Sequence, residues 1–161
     1  MYSLNVPVPD EVSRLAAGLG LTCQTADVRT RPTLVGKRLG DGAYGPLARE
    51  ARDVVAGTAP FAARVTSIDA FQDPPNGRAP VVYLTVESPG LDALHDRLCA
   101  AFDPVPRMEG EAYDPHVTIA RGGDARDLLD ESIDPISWSV DHLVFWDGAH
   151  HEPVESVALP A

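Results

Sequence analysis

One short segment of the chain places a histidine and a threonine where both could act on the same chemical group. Residues 116–121, His-Val-Thr-Ile-Ala-Arg, have the alternation of a β-strand, in which residues two apart point to the same face. His116 and Thr118 would then project side by side, with Val117 and Ile119 toward the core. An imidazole can move a proton, and both side chains can bind a phosphate oxygen. We interpret His116 and Thr118 as candidate catalytic residues; an ordinary surface histidine beside a threonine is the alternative.

Two neighbours of this strand are candidates for substrate binding. Tyr113 precedes it in a predicted loop and could stack on a base, although loop tyrosines often pack on their own scaffold. Arg121 could bind an anion. Its odd offset from Thr118 points it to the other face unless the strand bends.

Residues 115–121 resemble the second signature of the 2H phosphoesterase superfamily, which includes the RNA 2′,3′-cyclic phosphodiesterases historically called 2′-5′ RNA ligases. The resemblance extends to the preceding strand and helix, at residues 80–87 and 91–102, and to the strand and helix at the start of the chain. It implies a bilobal α+β fold of two pseudo-symmetric halves, with antiparallel sheets lining a central cleft. In that family each half brings one His-x-Thr/Ser strand to the cleft.

The first signature of that family is altered in this chain. At its expected position stands Arg31-Pro32-Thr33, in which Thr33 fits and Arg31 replaces the histidine; the first histidine in the sequence is His95. By the resemblance, Arg31 and Thr33 are candidate substrate-binding residues. An ion pair between Arg31 and a surface aspartate is the alternative.

This replacement leaves two functions open. Opening a 2′,3′-cyclic phosphate needs a base for water and an acid for the leaving ribose oxygen, and an arginine cannot be the base. The first function is a 2H-type RNA phosphoesterase that hydrolyses 2′,3′-cyclic or 2′-5′-linked nucleotide phosphates without a cofactor, with His116 as acid and base. The loss of one partner would slow it by roughly 10²–10⁴-fold. The second is a non-catalytic module that binds such a nucleotide or RNA end, since an arginine can bind phosphate bidentately.

Two further sets of residues could bind ligands. Lys37 is the only lysine, and strand alternation places it on the face of Thr33 and Arg31, so it could extend an anion site or simply be solvated. Four residues near the C-terminus could bind zinc in a metal-dependent hydrolase: His142, Asp147, His150 and His151. Their spacing fits no compact zinc template, so we predict no metal site.

The pattern of predicted elements indicates an α+β fold. Strands are expected at 4–8, 33–39, 61–71, 80–87, 116–121, 136–146 and 154–159, and helices at 10–19, 46–56, 91–102 and 124–131. Several connections have hairpin length, and Asn76-Gly77 is a strong turn signal. No linker or low-complexity tract interrupts the chain. We therefore expect a single domain over residues 1–161, with approximate halves 1–75 and 76–161.

The composition limits the partners. A net charge of −11 disfavours non-specific capture of DNA or an anionic membrane. No apolar run reaches the roughly 18 residues of a membrane helix, and the start of the chain lacks a secretory pattern. We expect a cytoplasmic monomer. Asp and Glu number 16 and 8 against 12 Arg and one Lys, which favours a halophilic protein; a GC-rich genome would explain the missing lysines but not the excess acid.

Overall fold

The computed structural model describes residues 1–160, and it confirms an α+β fold built on antiparallel sheets. The described strands are β1 Tyr2–Val6, β2 Asp27–Val28, β3 Leu34–Gly40, β4 Phe61–Phe71, β5 Val81–Glu87, β6 His116–Arg121, β7 Ile136–Val140, β8 His142–Asp147 and β9 Glu152–Ala158. The helices are α1 Asp10–Gly20, α2 Tyr44–Val55 and α3 Pro89–Ala101, with 3₁₀ helices at Gly110–Ala112 and Gly123–Asp130.

Two sheets form the framework, and every strand pair in them is antiparallel. The first sheet has the order β3-β1-β8-β9, and the second has the order β2-β6-β5-β4-β7. Each sheet contains strands from both halves of the sequence, because β8 and β9 join β1 and β3 while β2 and β4 join β5 and β6. A boundary near residue 75 therefore does not separate the two sheets.

The single strand expected at 136–146 is wrong, because the chain changes sheets there. β7 pairs with β4 in the second sheet, and β8 pairs with β1 in the first. The exposed Asp141 lies at the crossing, where its carboxylate is 2.7 Å from His142 Nδ1. The short strand β2 was not expected, because two residues are too few to show an alternating pattern.

The helices cover one face of the sheets and leave the other face to the site. α1 packs against β6, whose residues Val117 and Ile119 are buried, and α3 packs against both β3 and β4. Each helix buries a stripe of small and aliphatic side chains, such as Leu91, Leu94 and Leu98 of α3. This burial is the main stabilising contribution to the fold. Among residues 1–160, no helix combines the length and the apolar character needed to cross a membrane.

Candidate active site

A cavity of about 200 Å³ takes its walls from both sheets. Thr33 and Val35 come from the β3 side of the first sheet, and His116 and Thr118 come from β6 of the second. The two threonines are far apart in sequence, and the fold brings them to one cavity. Arg31 was expected beside them but does not line this cavity.

His116 lines the cavity and has one ring nitrogen without a hydrogen-bond partner in the described residues. Its Nδ1 lies 2.7 Å from the backbone carbonyl oxygen of Asp114. A carbonyl only accepts, so Nδ1 carries the proton and the neutral ring has its lone pair on Nε2. Among the residues described, Nε2 has no hydrogen-bond partner. Phe71 and Tyr83 pack against the ring at centroid distances of 5.0 and 5.1 Å and fix its orientation.

The surroundings of His116 favour its neutral form. Burial lowers the pKa of the imidazole, and the positive charges of Arg38 and Arg29 lower it further. The hydrogen bond to the Asp114 carbonyl and the Asp114 charge act in the opposite direction but do not reverse the shift. His116 is therefore suited to accept a proton at neutral pH.

A bulge in β6 turns Arg121 toward the cavity. Val82 pairs with Ala120 and Tyr83 pairs with Thr118, so Ile119 is an extra residue on β6. A bulge of this kind shifts the alternation by one residue beyond it. Arg121 consequently lines the same cavity as His116 and Thr118. The bulge is the bend in the strand that Arg121, at an odd offset from Thr118, needs in order to face the same side.

A second bulge, in β3, brings Arg38 into the cavity and removes Lys37 from it. Leu4 pairs with Lys37 and Asn5 pairs with Val35, so Gly36 is the extra residue. A Cβ at Gly36 would lie 2.9 Å from the backbone oxygen of Leu4, which leaves room only for glycine. The simple alternation that placed Lys37 beside Thr33 is wrong for this reason.

Lys37 is instead part of a fully buried ion pair. Its Nζ lies 2.7 Å from Glu109 Oε1, and neither side chain is exposed. Glu109 also accepts from the backbone N–H groups of Arg38 and Val105, at 2.8 and 3.0 Å. Burial opposes the ionisation of Glu109, but the hydrogen bonds from Lys37 and from these two N–H groups outweigh it and hold its pKa below the ordinary value. The pair ties the loop before β6 to the bulge.

Tyr113 lines the cavity and also supports the bulge. Its hydroxyl donates to the carbonyl oxygen of Val35 at 2.8 Å, and its ring stacks on His95 at 3.6 Å. Buried His95 places Nδ1 2.7 Å from the carbonyl oxygen of Gly36 and accepts from the N–H of Gly110 at Nε2. The carbonyl of the bulged glycine is thereby satisfied.

Arg31 lies on another part of the surface. Its Nη1 donates to the carbonyl oxygen of His151 at 3.0 Å, and its guanidinium carbon lies 5.4 Å from the ring centroid of Trp146. This contact is a cation–π interaction with the first sheet. Within the described part of the chain, the ion pair with an aspartate, which was the alternative, is not formed either.

The cavity is locally basic within an acidic chain. Four arginines line it against two aspartates, Asp73 and Asp114; the arginines are Arg29, Arg38, Arg107 and Arg121. The sequence reasoning missed three of these arginines. Arg29 could have been found, because it continues the alternation of Arg31 and Thr33, whereas Arg38 depends on a bulge and Arg107 on a loop.

The C-terminal histidines do not come together in one cluster. Asp147, His150 and Glu152 have ligand atoms within 4.8 Å of one another, whereas the ring of His142 is paired with Asp141. His150 Nδ1 is 2.7 Å from Asp147, a contact that raises the pKa of His150 by hydrogen bonding and charge. His150 and Asp147 thus satisfy each other.

The fold described here is that of the 2H phosphoesterases. Three solved structures illustrate the likeness. E. coli LigT complexed with NADP+ has a TM-score of 0.67 at 17% identity, covering 99% of this chain and 97% of that one. E. coli LigT complexed with 3'-AMP has a TM-score of 0.65 at 18% identity, covering 99% and 98%. TT0787 of Thermus thermophilus has a TM-score of 0.64 at 17% identity, covering 98% and 97%.

The family follows from the sequence profile as well as from the fold. The model of the 2'-5' RNA ligase superfamily matches residues 33–152, which is most of the chain. This protein therefore belongs to the 2′-5′ RNA ligase superfamily, as the resemblance of its second signature predicted. A search of curated proteins found no match.

Proposed function

We propose that this protein hydrolyses 2′,3′-cyclic or 2′-5′-linked nucleotide phosphates, with His116 as the residue that accepts and returns the proton. One observation carries the proposal: the hydrogen bond to the Asp114 carbonyl oxygen fixes the His116 tautomer and leaves Nε2 free in an arginine-lined cavity. A neutral imidazole facing an anion site is suited to activate water for attack on phosphorus.

For a cyclic phosphate, the reaction balances with one histidine. Water attacks phosphorus, a new P–O bond forms, and His116 Nε2 takes the proton released by the water. The P–O bond to one ribose oxygen then breaks, and the imidazolium gives its proton to that oxygen. The net change is the addition of one water molecule. His116 therefore serves first as base and then as acid.

The other groups in the cavity would stabilise the charge on phosphorus. Arg38 lies close enough to His116 to lower its pKa, so a phosphate beside the imidazole would meet its positive charge. Thr33 and Thr118 offer hydroxyl donors at the same cavity. The solved LigT complexes with 3'-AMP and ATP support a nucleotide as the ligand of this fold.

Binding without turnover is the second candidate function. Within residues 1–160, His116 is the sole imidazole that lines the cavity, because His95 is buried in the scaffold and the others lie elsewhere. The family chemistry assigns the two proton transfers to two histidines. A cavity that holds one histidine and four arginines favours affinity over proton transfer.

The decisive experiment is incubation of adenosine 2′,3′-cyclic monophosphate with the wild-type protein and with His116→Ala, followed by identification of the product. We expect His116→Ala to lower kcat by roughly 10²–10⁴-fold and to change KM far less. His142→Ala is the matched control, since His142 is an exposed histidine outside the cavity. Binding of the nucleotide without turnover by the wild type would support the second candidate.

The pH dependence of kcat/KM tests the role of His116 separately. Because burial and neighbouring arginines lower its pKa, the base form should predominate at pH 7. The rate should rise with pH to a plateau, with its midpoint below the ordinary histidine value of about 6.5. A rate that falls as the pH rises through that region would contradict a histidine that acts first as base.

A further inference from the structure

The arginines of the cavity fall into two sets, which suggests two separate anion positions. Arg38 enters from the β3 bulge and, with Thr33, belongs to the His116 end. Arg121 pairs with Val81 of β5, whereas His116 pairs with Thr85 four residues away, so the two backbone positions are roughly 13 Å apart along the strand. Arg121 therefore enters the cavity at the opposite end of β6 from His116.

The far end of the cavity has the construction of an anion site. Arg121 Nη1 donates to the carbonyl oxygen of Asn76 at 2.8 Å, and the guanidinium lies against Gly77, where a Cβ would be 1.9 Å from Nη1. The loop between β4 and β5 thus holds this arginine in place without a carboxylate. A held guanidinium keeps its remaining N–H groups available for a ligand.

Arg29 supplies a second positive charge at this end. Its backbone N–H donates to the carbonyl oxygen of Ile119 at 2.8 Å, which places it beside β6, two residues from Arg121 in the strand register. Among residues 1–160, its guanidinium has no hydrogen-bond partner and no ion pair. Asp27, which pairs with Arg121 in the strand register, has its carboxylate in an ion pair with Arg78. Two guanidinium groups that line one cavity attract a counter-charge.

We propose that Arg29 and Arg121 form a second phosphate subsite, so that the protein prefers a nucleotide carrying two phosphate groups, one at His116 and one at these arginines. The inference rests on the proposed function, because it takes the first phosphate to lie at His116. The second phosphate is then a 5′-phosphomonoester or the phosphodiester that links the terminal nucleotide to the one before it.

Calorimetry with three nucleotides tests the subsite: adenosine 3′-monophosphate, adenosine 3′,5′-bisphosphate, and the dinucleotide ApA with a 3′-phosphate. We expect the wild type to bind the bisphosphate about tenfold more tightly than the monophosphate, because charge-assisted hydrogen bonds contribute on this scale. Arg29→Met and Arg121→Met should each abolish most of that preference. Arg29→Met is the safer variant for folding, since its guanidinium makes no contact that the fold uses.

Arg126→Met is the matched control, because Arg126 is exposed on a 3₁₀ helix outside the cavity. Equal loss of preference in Arg126→Met would overturn the subsite in favour of a long-range charge effect. Equal binding of the monophosphate and the bisphosphate by the wild type would overturn the subsite and leave the proposed function standing. Failure of every nucleotide to bind would overturn both. If the dinucleotide also binds more tightly than the monophosphate, the second phosphate is an internal phosphodiester. If only the bisphosphate binds more tightly, it is a terminal phosphate.

Discussion

The strands β3 and β6 bring corresponding groups to the cavity but hold them by different means. β6 supplies His116, Thr118 and Arg121, and its bulge residue is Ile119, whose side chain is buried in the core. On the β3 side, Thr33 precedes the strand and Arg38 follows its bulge, but no histidine of residues 1–160 reaches the cavity from there. Each half thus combines a threonine with an arginine at an odd offset.

The difference lies in what fixes the arginine. A backbone carbonyl of a hairpin loop holds Arg121, whereas buried charges hold the strand around Arg38. Glu109 accepts from the Arg38 backbone and also lies 3.6 Å from its guanidinium. The β3 side of the cavity therefore depends on an ion pair that is expensive to desolvate. It should be the more fragile of the two.

The largest effect is expected from Glu109→Gln, which removes the negative charge of the buried pair and leaves Lys37 without its counter-ion. Breaking a buried pair in this way costs about 3–5 kcal/mol of unfolding free energy. Denaturant unfolding measures the loss, and Glu111→Gln is the matched control because Glu111 is exposed two residues away. Equal stability of the two variants would show that the β3 side does not depend on the pair.

The same two strands show what the sequence could predict. His116, Thr118 and Thr33 line one cavity. Strand alternation predicted that His116 and Thr118 share a face, whereas Thr33 was placed with them by the family resemblance. The bounds of β4 and β6 were also predicted, since their patterns end at turns or breakers. The strand bounds and the shared face of His116 and Thr118 depend only on local sequence.

The misplaced residues depend on features that alternation does not encode. Gly36 inserts one residue into β3, so Lys37 and Arg38 exchange faces, and the reason is a close approach to the Leu4 backbone in another strand. Arg31 makes a cation–π contact with Trp146, which lies more than a hundred residues later in the chain. Likewise, the change of sheet at Asp141 depends on the pairing of β7 with β4 and of β8 with β1, strands that are distant in sequence.

A smaller effect, on catalysis, should distinguish the two arginines of the β3 side. Arg38→Met removes a positive charge from the cavity and should lower kcat/KM for a cyclic nucleotide by roughly 10²–10³-fold. Arg31→Met removes a surface contact with Trp146 and should change kcat/KM by about twofold or less. If Arg31→Met is as inactive as Arg38→Met, then Arg31 leaves Trp146 to reach the ligand, and the β3 side supplies two arginines to the site.

The smallest effect is expected from the bulge residue itself. Gly36→Ala adds a methyl group whose carbon would lie 2.9 Å from the Leu4 carbonyl oxygen, so one of the two strands must shift. We expect a loss of about 1–3 kcal/mol in unfolding free energy, together with weaker nucleotide binding because Arg38 moves with the bulge.

Gly18→Ala is the matched control: Gly18 is an exposed glycine of α1 with no atom within 4 Å of a Cβ. That change should instead stabilise the protein by about 0.5–1 kcal/mol through helix propensity. Thermal and denaturant unfolding of the pair, followed by nucleotide titration, would separate the two, and a Gly36→Ala protein with wild-type stability and affinity would mean that the bulge does not position Arg38.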